Sequence, residues 1–399
     1  MYTKGDAMQN FTYHAPTEVI FGKDTAVKAG EAASKAGATR VFIVYGSERV
    51  RKSGLLDTVE ESLDKAGLVH TAFGGVKANP TLAHAEEGAI KAAEAGADLI
   101  LAVGGGSVID TAKGIAHGAA NPDKALWDIW TKKVPLKRSL KVAAVLTIPA
   151  AGSEMSDSAV LTNEAEGKKL GINTEFNRCV FAIMDPSLAD SLPDWQLKNG
   201  IVDIMMHTLE RYFIPDIKCD LTDRIAEGVL KTVRDNGRLA LNDRSDYDAM
   251  AEIWWASSLS HNNLTELGRG KDFSVHKIGM ALSAKYDHTH GATLSAVWAS
   301  WARYLYRDAI GRFAGYARNV WGIDTADDEQ AAILGINATE NFFREIGMPV
   351  SLKELGLESP SDDEIRALAL HATMDDTVKL SRIRPLTAAD VENIYRAAL

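Results

Sequence analysis

Short apolar runs alternate with amphipathic stretches between residue 37 and about residue 186. Val41-Phe-Ile-Val-Tyr45 is the first such run, and Gly54-Leu-Leu-Asp-Thr-Val-Glu-Glu-Ser-Leu63 after it repeats its apolar positions at helical spacing. The same rhythm predicts a helix over 81–95, a strand at Asp98-Leu-Ile-Leu-Ala-Val103, a helix from 108, and strands at Lys141–Thr147 and Val180–Met184. Alternation of this kind favours a parallel sheet covered by helices. After Asp185-Pro186 the strand-like runs stop. The remaining roughly two hundred residues show helical spacing broken by polar loops such as Asn242-Asp-Arg-Ser-Asp-Tyr247. Prolines in Asp185-Pro-Ser and Leu192-Pro-Asp end both kinds of element, so the boundary is expected near 190. The chain then reads as an α/β domain over 1–190 and an all-helical domain over 191–399.

Composition narrows the class. With 399 residues, 46% of them apolar, the chain can bury a core in each of two or three domains, and disorder is excluded. A net charge of −10 argues against nucleic acid, whose binders concentrate Lys and Arg. The two cysteines, Cys179 and Cys219, form no CxxC, which suggests neither a disulfide framework nor a thiolate zinc site and fits a reducing compartment. No secretory h-region follows Met1, and no run is apolar for the ~18 residues of a spanning helix. A cytosolic protein with no membrane partner is expected.

Leu99-Ile-Leu-Ala-Val103 runs into Gly104-Gly-Gly-Ser107 and then into helix-like Val108-Ile-Asp-Thr-Ala-Lys-Gly-Ile-Ala116. Glycines at a strand-to-helix turn let backbone N–H groups approach a diphosphate, and the helix N-terminus adds positive partial charge. Ser107 is expected to add a hydroxyl or to cap the helix. A tight turn without a ligand is the alternative on this segment alone, and the usual GxGxxG fingerprint is absent. Tyr45-Gly-Ser-Glu-Arg-Val-Arg-Lys52 follows the first apolar run, where a dinucleotide-binding fold reads the adenosine ribose. An acidic residue there bonds the ribose hydroxyls of NAD, whereas Ser47 with Arg49 suits a 2′-phosphate. Glu48 complicates that reading, and a solvated basic turn remains the alternative.

Four of the ten histidines, His261, His276, His288 and His290, fall within thirty residues. A fifth, His207, lies four residues after Asp203, so that on a helix carboxylate and imidazole share one face. Ile201, Ile204, Met205, Thr208, Leu209 and Tyr212 make the rest of that helix broadly apolar, and therefore mostly buried. A buried carboxylate persists only when paired or bound to metal; a surface Asp–His pair is the alternative. His276 and His290 would stand about 21 Å apart on one straight helix. The chain must turn between them, and Lys285-Tyr-Asp-His-Thr-His-Gly291 offers the turn. The carboxylate of Asp203 with the imidazoles of His207, His276 and His290 suits one divalent ion, Fe²⁺ or Zn²⁺. Taken singly, His261 and His288 read as ordinary histidines.

Together these features resemble the iron-dependent, or group III, alcohol dehydrogenase family within the dehydroquinate-synthase-like fold. The resemblance spans Asn10-Phe-Thr-Tyr-His-Ala-Pro-Thr-Glu-Val-Ile-Phe-Gly22, Asn79-Pro-Thr81, Gly104-Gly-Gly-Ser-Val-Ile-Asp-Thr-Ala-Lys113, Thr147-Ile-Pro-Ala-Ala-Gly-Ser-Glu154, Asp185-Pro186, and the 4, 69 and 14 gaps from Asp203 through His207 and His276 to His290. The wording is closest to the NADPH-dependent butanol dehydrogenase and broad aldehyde reductase branch.

The resemblance implies a Rossmann-like dinucleotide-binding domain followed by an all-α domain. It implies that Asp203, His207, His276 and His290 hold the metal and that Gly104, Gly105, Gly106 and Ser107 cradle the cofactor diphosphate. Asn79, Asp110, Thr147, Ser153 and Ser156 would line the cofactor cleft, with Lys169 at the nicotinamide ribose. Ser47 replaces the acidic residue of NAD-using relatives, which favours NADP(H) over NAD. Two positions depart from the family pattern: Met280 stands where relatives often carry a histidine, and Ala151 where a threonine is usual. The expected activity is reversible, metal-dependent hydride transfer between NADP(H) and a small primary alcohol or aldehyde, in a homodimer. NAD-dependent polyol dehydrogenases of the same fold, and a noncatalytic nucleotide- or metal-binding module, are the alternatives.

Overall fold

The first apolar runs close a sheet whose inner strands have no solvent-facing side. A computed structural model describes residues 7–215 and 217–399. Its strands are β1 (Glu18–Phe21), β2 (Arg40–Tyr45), β3 (Val69–Phe73), β4 (Leu99–Gly104), β5 (Lys141–Leu146), β6 (Ser158–Asn163), β7 (Lys168–Asn173) and β8 (Phe181–Met184). Six of them form a parallel sheet in the order β1-β8-β5-β4-β2-β3, with β6 and β7 as a separate antiparallel pair. Every residue of the central strand β4 is buried, as a parallel strand covered on both faces requires. The helices of this unit are α1 (Ala29–Lys35), α2 (Arg49–Lys52), α3 (Leu55–Lys65), α4 (Leu82–Glu94), α5 (Gly106–Ala120) and α6 (Leu126–Trp130). Val41, Ile43, Leu99, Leu101 and Val145 pack with Leu56, Val59 and Leu63 of α3 in one core.

The predicted helices and central strands are present, and the edges are what the pattern missed. β1 and β3 are half-exposed outer strands with little apolar signal. The β6–β7 hairpin was also not anticipated. Its Ala159, Leu161 and Ile172 close a second small core with Trp127 and Trp130 of α6 and Leu82 of α4.

The described residues after Pro193 are helical: α7 (Asp194–Tyr212), α8 (Asp220–Asn242), α9 (Tyr247–His261), α10 (Ser274–Tyr286), α11 (His290–Leu305), α12 (Ile310–Trp321), α13 (Asp328–Glu345), α14 (Asp362–Ala372) and α15 (Ala388–Ala397), with short 3₁₀ turns between some of them. The chain divides into His14–Leu192 and Pro193–Leu399, and the segment up to Tyr13 groups with the second unit. The division thus falls two residues past the expected boundary, where Pro193 precedes α7. The early segment belongs to the helical unit because, among other packing, the Gln9 amide donates to the Gly268 carbonyl at 2.9 Å. Among the described residues no helix is long and apolar enough to cross a membrane, and Cys179 and Cys219 are both buried free thiols.

Candidate active site

Helix α7 is buried at every residue from Asn199 to Tyr212, as its broad apolar face demanded. Four polar side chains, Asn199, Asp203, His207 and Glu210, are spaced by four, four and three residues and so run along one side of it. Two further helices begin against that stripe. His276 lies in the first turn of α10, and His290 opens α11. Between them Asp287, in the left-handed region at φ 55°, ends α10 and starts the reversal that the sequence required.

This arrangement brings the predicted ligands around one oxygen. Asp203 Oδ1 lies 3.2 Å from His207 Nδ1, 3.6 Å from His276 Nε2 and 3.8 Å from His290 Nε2. Ligand atoms of Asp203, His276 and His290 all fall within 4.8 Å of one another. His207 stands beside that trio rather than in it. Its Nδ1 also bonds the Asp203 carbonyl oxygen at 3.0 Å, and its ring stacks on His261 with centroids 4.0 Å apart. His261 is thus a buried neighbour of the cluster, while His288 lies in the loop before His290.

A metal fits these residues. Asp203 Oδ1 and His276 Nε2 are buried with no hydrogen-bond partner, a condition that costs roughly 1–3 kcal/mol for each polar group. Tetrahedral bonds of about 2.1 Å would set ligand atoms about 3.4 Å apart, close to the observed spacing. One carboxylate with imidazoles is a donor set for Zn²⁺ or Fe²⁺. Burial followed by the neighbouring imidazoles holds His207 well below the ordinary histidine range. Burial also pulls His276 down, but Glu210 and Asp203 more than reverse it and push the ring up to about 9.

Two residues absent from the candidates hold the ligand-bearing helices. Glu210 Oε1 accepts the amides of Val275 at 2.5 Å and His276 at 3.3 Å, and Oε2 bonds His276 Nδ1. Asn199 Oδ1 accepts the Ala292 amide at 2.8 Å, tying down the first turn of α11. Gly291 makes that approach possible, because a Cβ there would lie 2.4 Å from the Asn199 carbonyl oxygen. The amides that a helix start leaves unpaired are therefore satisfied from α7. The signal in the sequence was the continuation of the Asp203–His207 stripe, four residues back to Asn199 and three on to Glu210.

In the α/β unit the C-terminal ends of β2, β4 and β5 lie side by side, with Tyr45 opposite Val103 and Gly104 opposite Leu146. Ser47 and Arg49, the glycine turn and Thr147 therefore emerge along one sheet edge, where parallel α/β sheets bind ligands. The Thr147 amide donates to the Gly104 carbonyl at 3.2 Å. Gly104 is required by packing, since a Cβ would meet Val108 Cγ2 at 2.4 Å. Gly105 is the N-cap and α5 begins at Gly106. Ser107 is consequently not the cap: it is the second helical residue, and its hydroxyl donates to the Ala78 carbonyl. The turn still places backbone amides at the positive end of a fifteen-residue helix.

Lys169, on β7, donates to Asn79 Oδ1 at 2.8 Å, so the unanticipated hairpin brings together two candidates ninety residues apart. Three others turn inward. Asp110 accepts the Ser153 hydroxyl at 2.6 Å and the Val160 amide at 2.9 Å. The fully buried Lys113 ammonium donates to Ser153 O at 2.7 Å, Ser153 Oγ at 2.9 Å and Ser158 O at 2.6 Å. Ser156 is buried and its hydroxyl bonds Ser158. Asp110, Ser153 and Ser156 thus shape the turn after Thr147 from beneath. Ser47 and Arg49 are exposed, and the Glu48 carboxylate accepts a long 3.4 Å bond from the Tyr45 hydroxyl.

An α/β unit with a glycine turn at its sheet edge and a helical unit with an Asp–His cluster are the parts that a metal- and nicotinamide-dependent dehydrogenase needs. Residues 16–186 match the family model for iron-containing alcohol dehydrogenase, and residues 198–399 match the C-terminal model of the Fe-containing alcohol dehydrogenase family. NADH-dependent butanol dehydrogenase A of Clostridium acetobutylicum is 35% identical over 391 residues, 98% of this chain and 99% of that protein. The NADPH-dependent aldehyde reductase YqhD of Escherichia coli is 33% identical over 98% of this chain and all of its own length. The crystal structure of NADH-dependent butanol dehydrogenase A from Thermotoga maritima matches with a TM-score of 0.93 at 34% identity, covering 98% of this chain and 99% of that one. The chain belongs to the iron-containing alcohol dehydrogenase family, as its motifs indicated.

Proposed function

We propose that this protein reduces small aldehydes to primary alcohols, reversibly, with NADPH preferred over NADH and with Fe²⁺ or Zn²⁺ held by Asp203, His207, His276 and His290. The observation that carries the reading is the buried, unbonded Asp203 oxygen ringed by three imidazoles. When bound, the divalent ion supplies Lewis acidity toward a carbonyl oxygen, and NADPH supplies the hydride. The amides of the Gly104–Ser107 turn bind the diphosphate, and the Lys169–Asn79 pair orients the nicotinamide ribose. With Met280 in place of the common family histidine, Lys169 or water delivers the proton. Relatives of similar identity use NADH in one case and NADPH in another, so the cofactor preference rests on Ser47 and Arg49. We further propose a cytosolic homodimer that pairs through the outer strand β1.

The test is NADPH oxidation by protein reconstituted anaerobically with Fe²⁺ or Zn²⁺, with butanal as substrate and NADH as the comparison. Metal-dependent turnover preferring NADPH is expected. Preference for NADH overturns the Ser47 and Arg49 argument, and turnover without metal overturns the role of the cluster.

A further inference from the structure

Resting on the metal reading above, we infer that Glu210 is the positioning residue that makes His276 a ligand, by fixing both its helix and its tautomer. An imidazole can ligate through Nε2 only when the proton sits on Nδ1. Glu210 is buried with its Oε2 on His276 Nδ1, and a carboxylate oxygen accepting there keeps the proton on Nδ1 and turns Nε2 toward Asp203. The other oxygen is occupied separately by the Val275 and His276 amides, in the first turn of α10. That contact stops the carboxylate from rotating away, and it places negative charge at a helix N-terminus. One side chain on α7 thus sets the position, the angle and the protonation of a ligand on another helix. A glutamine in its place keeps the size but offers an amide that can donate to Nδ1, which selects the wrong tautomer.

The experiment measures Co²⁺ and Zn²⁺ affinity by chelator competition for wild type, Glu210→Gln, His276→Ala and the double variant. Glu210→Gln should weaken binding by about 10- to 100-fold, the usual effect of losing such a partner. In the His276→Ala background the same change should alter affinity less than about twofold, because coupling vanishes once the ring is gone. A merely structural role would cost as much in both backgrounds, and that result overturns the inference. Equal affinity of wild type and Glu210→Gln also overturns it while leaving the metal reading intact, whereas wild type that binds neither ion overturns both. The zinc-loaded wild type labelled with ¹⁵N-histidine gives a readout that needs no variant to fold: His276 should carry its proton on Nδ1, and a proton on Nε2 refutes the assignment.

Discussion

The two units build their sites from different materials. In the α/β unit the candidate phosphate site is mostly backbone: amides at a helix start, set at the edge of a sheet whose register is fixed by buried apolar strands. In the helical unit the candidate metal site is all side chain, and its candidate donors come from three helices. A backbone site inherits its accuracy from the sheet and needs only that nothing intrude, hence its glycines. A side-chain site has no such guarantee, and here two further buried polar groups of α7, Glu210 and Asn199, set α10 and α11 by their first turns.

Substitutions should separate the two kinds of site. The largest effect is expected for His207→Ala, which should lose metal and at least about 10³-fold in kcat, since Lewis-acid stabilisation is worth several kcal/mol. Its circular dichroism should match wild type, and full turnover by metal-free variant protein would sink the mechanism. Acid should act on the α/β unit through His117, buried on α5 between Ser139 and Asn177 and pushed down by that burial to about 4. Between pH 6.5 and 4 the unfolded chain binds the extra proton there. Its contribution is therefore complete above about 6.5 and falls by about 3 kcal/mol as the pH drops to 4. Urea unfolding should show this slope in wild type and a shallower one in His117→Gln.

Crowding the glycines should divide the sites cleanly. Gly291→Ala and Gly104→Ala each should cost about 1–3 kcal/mol of stability. The first should weaken metal binding and leave the cofactor KM unchanged; the second should do the reverse, and equal effects on both readouts would erase the distinction. Smallest is Ser47→Asp, whose carboxylate should repel a 2′-phosphate and lower kcat/KM for NADPH about tenfold, with NADH little changed. No change in the ratio of the two cofactors would remove Ser47 from the argument.

What the sequence revealed follows the same contrast. The inner strands could be read because both their faces are apolar; β1 and β3 could not, because an outer strand half in water looks like a loop. β6 alternates as a strand should, with Ala159 and Leu161 inward, but Ser158 and Thr162 on its other face leave no continuous apolar run. Asp203 and His207 stood out because a carboxylate and an imidazole on an apolar helix demand a reason. Asn199 and Glu210 lie on the same stripe yet read as ordinary helix polarity until α7 proves to be buried at every residue from Asn199 to Tyr212. The inward turn of Asp110 and Ser153 was invisible because it depends on Lys113 being buried, which no local pattern announces.

The order of elements along the chain also has a temporal consequence. The parallel sheet joins its first strand to its last, β1 to β8, so every residue it needs has been synthesised by Met184. The helical unit instead includes residues 7–13, and Gln9 must wait for Gly268. At about 5–20 residues per second, that wait is roughly 10–50 s. During translation the α/β unit can therefore be finished while Gln9 still lacks the surface it bonds.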